Sequence, residues 1–93
     1  MEATLIDEIS RYLNLDREAL LRRGLKTLLN ERRRAILLER LQILSRYQVS
    51  STEELEGKLR AGEVQEHPAW EDLIVVENLE AELEKLDGYL RSL

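Results

Sequence analysis

Few residues of this chain have the types and spacing that catalysis or metal binding requires. His67, the only histidine, stands four residues before Glu71, and Asp72 is adjacent to that glutamate. On a helix this spacing brings an imidazole and a carboxylate to one side, where they could hold a divalent metal ion together with water. The chain has no cysteine and no second histidine to complete such a site, and it contains no glycine-rich phosphate loop. We therefore predict no enzymatic activity, no metal and no cofactor.

A second set of residues is typical of binding rather than of chemistry. From Val76 onward, apolar residues follow the alternating spacing of three and four that keeps one seam of a helix against a partner helix. This heptad stripe consists of Val76, Leu79, Leu83, Leu86, Leu90 and Leu93. Because the stripe is short for a free-standing coiled coil, an antiparallel hairpin within the chain and a homodimer are both open.

Trp70 is the only tryptophan and precedes the heptad stripe, beside an apolar run from residue 73 to residue 76. It either packs in the core or anchors a protein interface, where tryptophan is enriched. Four consecutive apolar residues are more than one helix face needs, so part of the run is expected to face a partner. The predicted partner-binding residues are Trp70, Leu73, Ile74, Val76, Leu79 and Leu83.

Charge is distributed unevenly along the chain. Residues 1–50 carry a net charge of +3, whereas residues 51–93 carry −8. The basic residues of the first half are either nucleic-acid contacts, or solvated, or paired with the acidic last helix. The candidate nucleic-acid contacts are Arg17, Arg22, Arg23 and Lys26.

The elements that position these residues are predicted to be helices. Phenylalanine is absent, and one proline and four glycines offer few strand or turn signals. A first helix, capped by Thr4, ends at a turn made by Asn14, and Asp16 caps the second helix. The second helix covers about residues 17–47 and is either continuous or broken close to Asn30.

Two further helices follow. A capping box that begins at Ser50 or Ser51 starts a short helix over about residues 52–61, and Gly62 ends it in the left-handed conformation. Pro68 begins the last helix, which runs to the end of the sequence. The predicted fold class is all-α: helix-turn-long helix, short helix and C-terminal heptad helix, closed as a helical hairpin or a coiled-coil assembly.

Length and composition favour one small structural domain with two functional parts. Its 93 residues form a core that is marginal alone, so we expect a homo-oligomer. From the charge difference we expect residues 1–49 and the acidic residues 50–93 to face different partners, with residues 50–93 as the partner-binding segment. Without cysteine, a stretch of about 20 apolar residues or a signal-peptide pattern, the expected location is the cytoplasm, away from membranes.

The first turn carries a resemblance to known proteins. Residues 9–21, ISRYLNLDREALL, look like the helix-turn-helix segment of small DNA-binding regulators and like the helical part of ribbon-helix-helix antitoxins. For this chain the likeness implies that the N-terminal half dimerises or touches DNA.

The later part resembles small prokaryotic antitoxin-like proteins of type II toxin–antitoxin modules. The resemblance is carried by SRYQVSSTEELE at 45–56, GEV at 62–64 and HPAWED at 67–72. Gln48 stands where those proteins have a glycine in the turn. The resemblance implies a long helix, a turn, a short helix and a final helix, and a C-terminal half that neutralises a small, basic toxin.

Overall fold

The computed structural model describes residues 3–93, which form four helices and no strand. The helices are α1 (Ala3–Leu13), α2 (Arg17–Ser45), α3 (Thr52–Arg60) and α4 (Glu66–Ser92). Within α4, His67 has extended backbone angles of φ −112° and ψ 119°, so regular helix begins at Pro68. The all-α prediction is confirmed.

Side chains cap the starts of α2 and α3, whereas Gln65 at the start of α4 makes no capping hydrogen bond through its side chain. The Asp16 side chain accepts a hydrogen bond from the Ala19 amide at 2.7 Å, as predicted. Ser51 rather than Ser50 caps α3, because its hydroxyl accepts from the Glu54 amide at 3.1 Å. The predicted Thr4 cap is wrong: α1 already includes Ala3, and threonine is accommodated inside a helix at a small free-energy cost.

Three helices end in the same way, with one residue in the left-handed conformation. These residues are Asn14 (φ 55°), Gln48 (φ 56°) and Gly62 (φ 70°). After each one, the next backbone amide donates to the carbonyl five residues earlier, at distances of 2.9–3.3 Å, which satisfies a carbonyl at the helix end. The predictions for Asn14 and Gly62 are confirmed, and Gln48 adopts a positive φ that glycine tolerates more readily than glutamine.

The long helix is continuous, and α4 folds back against it. α2 has 29 residues and is about 43 Å long, so the break considered near Asn30 does not occur. Ion pairs join Arg33 to Asp87 and Arg46 to Asp72, which fixes an antiparallel direction. Of the two arrangements open to the heptad stripe, the intramolecular hairpin is therefore the one observed.

The hydrophobic core joins α2, α3 and α4, and none of its members precedes residue 29. Its buried residues are Ile36, Ile43, Leu44, Val49, Leu55, Leu59, Ala69, Leu73, Val76, Leu79 and Leu86. Leu29, Tyr47 and Leu83 pack at its edge. This core spans both sides of the boundary that we placed after residue 49, so the boundary does not divide the core.

The chain is elongated, with principal extents of 61 × 20 × 18 Å and a radius of gyration of 19.5 Å. A compact chain of this length would have a radius of gyration of about 12 Å. We call residues 29–93 the bundle, because they contain the whole core. Residues 3–28, which comprise α1 and the first turns of α2, form the arm.

Candidate interaction surfaces

The heptad stripe contributes to folding rather than to an exposed surface. Val76, Leu79 and Leu86 are buried, and Leu73 lies in the same cluster. The assignment of Leu73, Val76 and Leu79 as partner-binding residues is thus corrected, because all three are covered by the chain's own helices. Leu83 is partly buried at the core edge.

Four ion pairs connect arginines of the long helix and its terminal turn to carboxylates of α4. The pairs are Arg32–Glu82 at 2.8 Å, Arg33–Asp87 at 2.8 Å, Arg40–Glu80 at 3.2 Å and Arg46–Asp72 at 3.4 Å. Arg32 is bidentate, since its second nitrogen contacts the other Glu82 oxygen. Pairing with the acidic last helix, one of the alternatives for the basic residues, is thus observed for these four arginines.

A polar cluster closes the end of the bundle where α2 turns into α3. The Tyr47 hydroxyl donates to an Asp72 carboxylate oxygen, and Lys58 Nζ donates to the Tyr47 carbonyl at 3.0 Å. Burial, together with the hydrogen bond to Asp72, raises the pKa of Tyr47 to about 12. The neutral phenol is favoured because its ionised form would be poorly hydrated and would lie beside a carboxylate.

One face of α4 points away from the bundle and remains uncovered. Positions 70, 74, 77, 81 and 84 follow helical spacing. We call this set the outer stripe: Trp70, Ile74, Glu77, Ala81 and Glu84. The Trp70 side chain is 45% exposed and the Ile74 side chain is 54% exposed. Within residues 3–93, Glu77 and Glu84 have no basic group within ion-pair distance, so their charges face solvent.

The candidate nucleic-acid contacts lie on the arm, and two of the four have acidic neighbours. Arg17 lies 3.7 Å from Asp7, and Arg22 lies 3.1 Å from Glu18. Arg23 and Lys26 are exposed on the same helix. The arm carries five basic and four acidic residues, so its charge is close to balanced. These four positions do not combine with Arg32, Arg33, Arg40 and Arg46 of the bundle, which contact α4 instead.

An apolar groove runs between α1 and the start of α2, and we call it the arm groove. Its volume is about 880 Å³, and its walls come from α1, the following turn and α2. Leu13, Leu21, Leu25 and Leu28 line it and are all exposed. Of residues 3–28, only Ser10 is buried, and its hydroxyl donates to the Leu15 carbonyl. The arm therefore has no hydrophobic core of its own.

A family model described as the Uncharacterized protein MJ0235 family matches residues 1–93. The chain belongs to this family. No curated protein and no solved structure matches the chain. The bundle and the arm are thus the two structural regions of a member of the Uncharacterized protein MJ0235 family.

In the part of the chain that the structure describes, this family member has neither a metal-binding cluster nor a helix that could cross a membrane. No group of three or more histidine, cysteine, aspartate or glutamate side chains converges there in a way that could hold a metal. His67 Nδ1 contacts Glu71 Oε1 at 2.7 Å, so the only histidine of the chain has a carboxylate neighbour. From Ala3 onward, no helix is both long and apolar enough to cross a membrane.

The outer stripe was only partly visible in the sequence. The sequence marks Trp70 and Ile74 as partner-binding residues but groups them with Leu73 and Val76, which face inward. Steps of three and then four residues backward from Val76 follow one helix face to Leu73 and Ala69, both of them buried, and leave Trp70 and Ile74 off this face. This signal separates the two faces. No comparable signal reveals the arm groove, because it arises from where α3 and α4 pack.

Proposed function

We propose that this chain is a non-catalytic interaction protein whose outer stripe binds a basic protein partner. The observation that carries the proposal is the exposure of Trp70 and Ile74 on a helix whose opposite face is buried. A large aromatic side chain that is left half exposed beside an exposed isoleucine is the kind of pair that dominates binding energy when a partner covers it.

The charges around this pair define the partner. Glu77 and Glu84 continue the stripe, while the carboxylates of Glu80, Glu82 and Asp87 contact arginines of α2. A complementary surface would therefore have an apolar socket for the indole and lysine or arginine side chains along its rim. Such charge complementarity raises the association rate and aligns the two surfaces.

The resemblance to antitoxin-like proteins suggests what this partner is. On that reading the chain is an antitoxin-like protein, and α4 neutralises a small basic toxin by covering part of its surface. The toxin identity rests on the resemblance alone, whereas the basic, apolar-centred interface rests on the outer stripe. Binding requires no catalytic group in this chain.

The test asks whether a basic protein is encoded next to this chain, and whether that protein co-purifies with the chain when the two are co-expressed. We expect the pair to elute together, and we expect Trp70→Ala to weaken binding at least about tenfold, as loss of an interface anchor does. Tyr89→Ala is the matched control, because Tyr89 is an aromatic residue of α4 that is 54% exposed and lies off the outer stripe. Titration calorimetry at two salt concentrations measures both variants.

Two outcomes would contradict the proposal. If no neighbouring basic protein exists, or if the pair elutes separately at low salt, the antitoxin-like role is wrong. If Trp70→Ala and Tyr89→Ala weaken binding equally, the outer stripe is not the interface. Weakening of the complex as salt rises would support the charge argument.

A further inference from the structure

The arm lacks what holds the bundle together. Within residues 3–28 no apolar side chain is buried, although Leu13, Leu21 and Leu28 lie along one groove. α1 has 11 residues, and isolated helices shorter than about 12–15 residues are marginal in water. Helices of this length need an apolar face packed against something, and here Ile6 and Ile9 are only partly buried while Leu5 and Leu13 are exposed.

We propose that a second copy of this chain covers the arm groove. In this dimer the two arms meet through the same face, related by a two-fold axis, and their four helices form a four-helix bundle. Leu21 and Leu28 of each copy would then lie against the groove of the other copy. A two-fold contact of this kind is self-complementary and closes without forming a filament.

The dimensions of the arm fit one more arm. Residues 17–28 of α2 are about 18 Å long, and two helices side by side are about 20 Å wide. The flat area of such a face is about 360 Å², and the relief of the side chains raises the surface that it can bury towards the ~800 Å² per partner of a standard interface. The occupant that matches this length and width is another pair of short helices.

Charge also favours a second copy. The arm has five basic and four acidic residues, so two arms do not repel each other strongly, whereas residues 29–93 carry nine basic and fourteen acidic residues. In an elongated chain of 61 Å, contact through the arms keeps the two acidic bundles apart. Contact through the bundles would bring like charges together.

A small apolar molecule fits the groove less well. A ligand pocket normally encloses about 70–90% of its ligand. The walls of the arm groove come only from α1, the turn and α2, so one side would stay open around a small molecule. A second pair of helices supplies the missing side.

The experiment compares Leu28→Glu with Leu41→Glu by sedimentation equilibrium of the full chain. Both leucines lie on α2, and their exposures are nearly equal at 63% and 61%, but only Leu28 lines the groove. We expect the wild type and Leu41→Glu to have twice the mass of one chain, with Leu28→Glu shifted to single-chain mass. Circular dichroism should show that all three remain helical.

Gly24→Arg provides a second probe of the same groove. A Cβ atom added at Gly24, which lines the groove, meets nothing within 4 Å in the single chain, so we expect folding to tolerate a side chain there. Arginine should also favour the helix relative to glycine. In the dimer the long side chain would occupy the space of the partner, so we expect the variant to be monomeric.

Solution scattering adds a geometric check. Two chains of 61 Å that overlap over an arm of about 18 Å give a maximum dimension of roughly 100 Å. A dimer that packs bundle against bundle would stay close to the length of one chain.

The dimer proposal is overturned if the wild type sediments as a monomer at high micromolar concentration. It is also overturned if Leu41→Glu dissociates the dimer while Leu28→Glu does not, or if the scattering envelope is short. These outcomes are separate from those of the outer stripe. A Trp70→Ala variant should lose the basic partner and keep the dimer, whereas Leu28→Glu should lose the dimer and keep Trp70 exposed.

Discussion

The two halves of α2 have similar sequences and very different surroundings. In the bundle half, Ile36 and Ile43 are buried in the core shared with α4, and Arg32, Arg33 and Arg40 contact carboxylates of α4. In the arm half, Leu21 and Leu25 are exposed, because α1 covers only part of that surface. One continuous helix thus has its apolar side chains buried in a core at one end and left exposed at the other. Helical spacing sets which residues share a face, but only packing decides whether that face is covered.

The largest expected difference between the two regions is in the cost of removing an apolar side chain. Ile36 is fully buried, so we expect Ile36→Ala to lower the free energy of unfolding by about 2–5 kcal/mol through lost burial and a residual cavity. Leu21 is 64% exposed, so at low protein concentration we expect Leu21→Ala to lower it by less than about 1 kcal/mol. Urea denaturation of both variants measures the contrast, and equal losses would show that the arm is packed as tightly as the bundle.

Titration of Tyr47 makes the free energy of unfolding of the bundle depend on pH in the alkaline range. Its pKa is raised from 10.0 in the unfolded chain to about 12 in the folded chain, so the folded state keeps its proton more tightly. The resulting stability is fully present below pH 10 and is lost as the pH rises from about 10 to 12. Allowing for solvent screening, we expect a loss of about 1–2 kcal/mol over this range.

Tyr47→Phe should remove that loss. The variant has no phenol to titrate, so its free energy of unfolding should fall less between pH 10 and pH 12 than that of the wild type. Urea denaturation at several pH values measures the difference. Tyr12→Phe, on the arm, is the control, because Tyr12 is 87% exposed. Identical pH profiles for the wild type and Tyr47→Phe would contradict the assignment.

Much of the fold could be predicted because its signals are local. Asp16 caps the next turn whatever lies elsewhere in the chain, and Asn14 and Gly62 end helices because they tolerate positive φ. Gln48 carries no such signal of its own: its turn was inferred from a resemblance to proteins with glycine there. The continuity of α2 past Asn30 could not be predicted from local sequence. It depends on α4, because Arg32 and Arg33 are accommodated by carboxylates of that helix.

The interaction surfaces could be predicted less well for the same reason. A stripe of leucines predicts an interface, but the sequence does not say whether the partner helix belongs to the same chain. Leu73, Val76 and Leu79 are buried because α4 runs antiparallel to α2, a pairing more than twenty residues away along the chain. Conversely, the leucines of the arm are exposed because the core begins at about Leu29.

The left-handed positions of the bundle and the arm offer a third, smaller contrast. Gln48 and Asn14 have nearly the same φ, 56° and 55°, but asparagine tolerates this conformation better than glutamine. We expect Gln48→Gly to raise the free energy of unfolding by about 0.5–1 kcal/mol, because relief of the side-chain strain exceeds the added entropy of the unfolded chain. Asn14→Gly should change it by only a few tenths of a kcal/mol.

Thermal denaturation of the two glycine variants measures this contrast. A higher midpoint for Gln48→Gly with little change for Asn14→Gly is the expected result. If Gln48→Gly destabilises the protein, the glutamine side chain contributes contacts that outweigh the strain. An equal effect at both positions would mean that the arm and the bundle unfold as one cooperative unit with similarly strained turns.

The smallest expected effects concern two ion pairs, one in the bundle and one in the arm, whose residues are separated by different distances along the chain. Arg32 and Glu82 are bidentate and join two helices, whereas Arg22 and Glu18 are neighbours on one turn of the arm. Both pairs are exposed, so we expect coupling energies of about 0.2–1 kcal/mol for the first and about 0.3–0.5 kcal/mol for the second. Double-mutant cycles with glutamine replacements measure them.

Only the first coupling should appear in the global unfolding of the bundle, because Arg22 and Glu18 lie in a region whose apolar residues are not part of its core. If the coupling between Arg22 and Glu18 also appears in the global unfolding of the bundle, the arm unfolds together with the bundle, and the division at residue 28 is wrong.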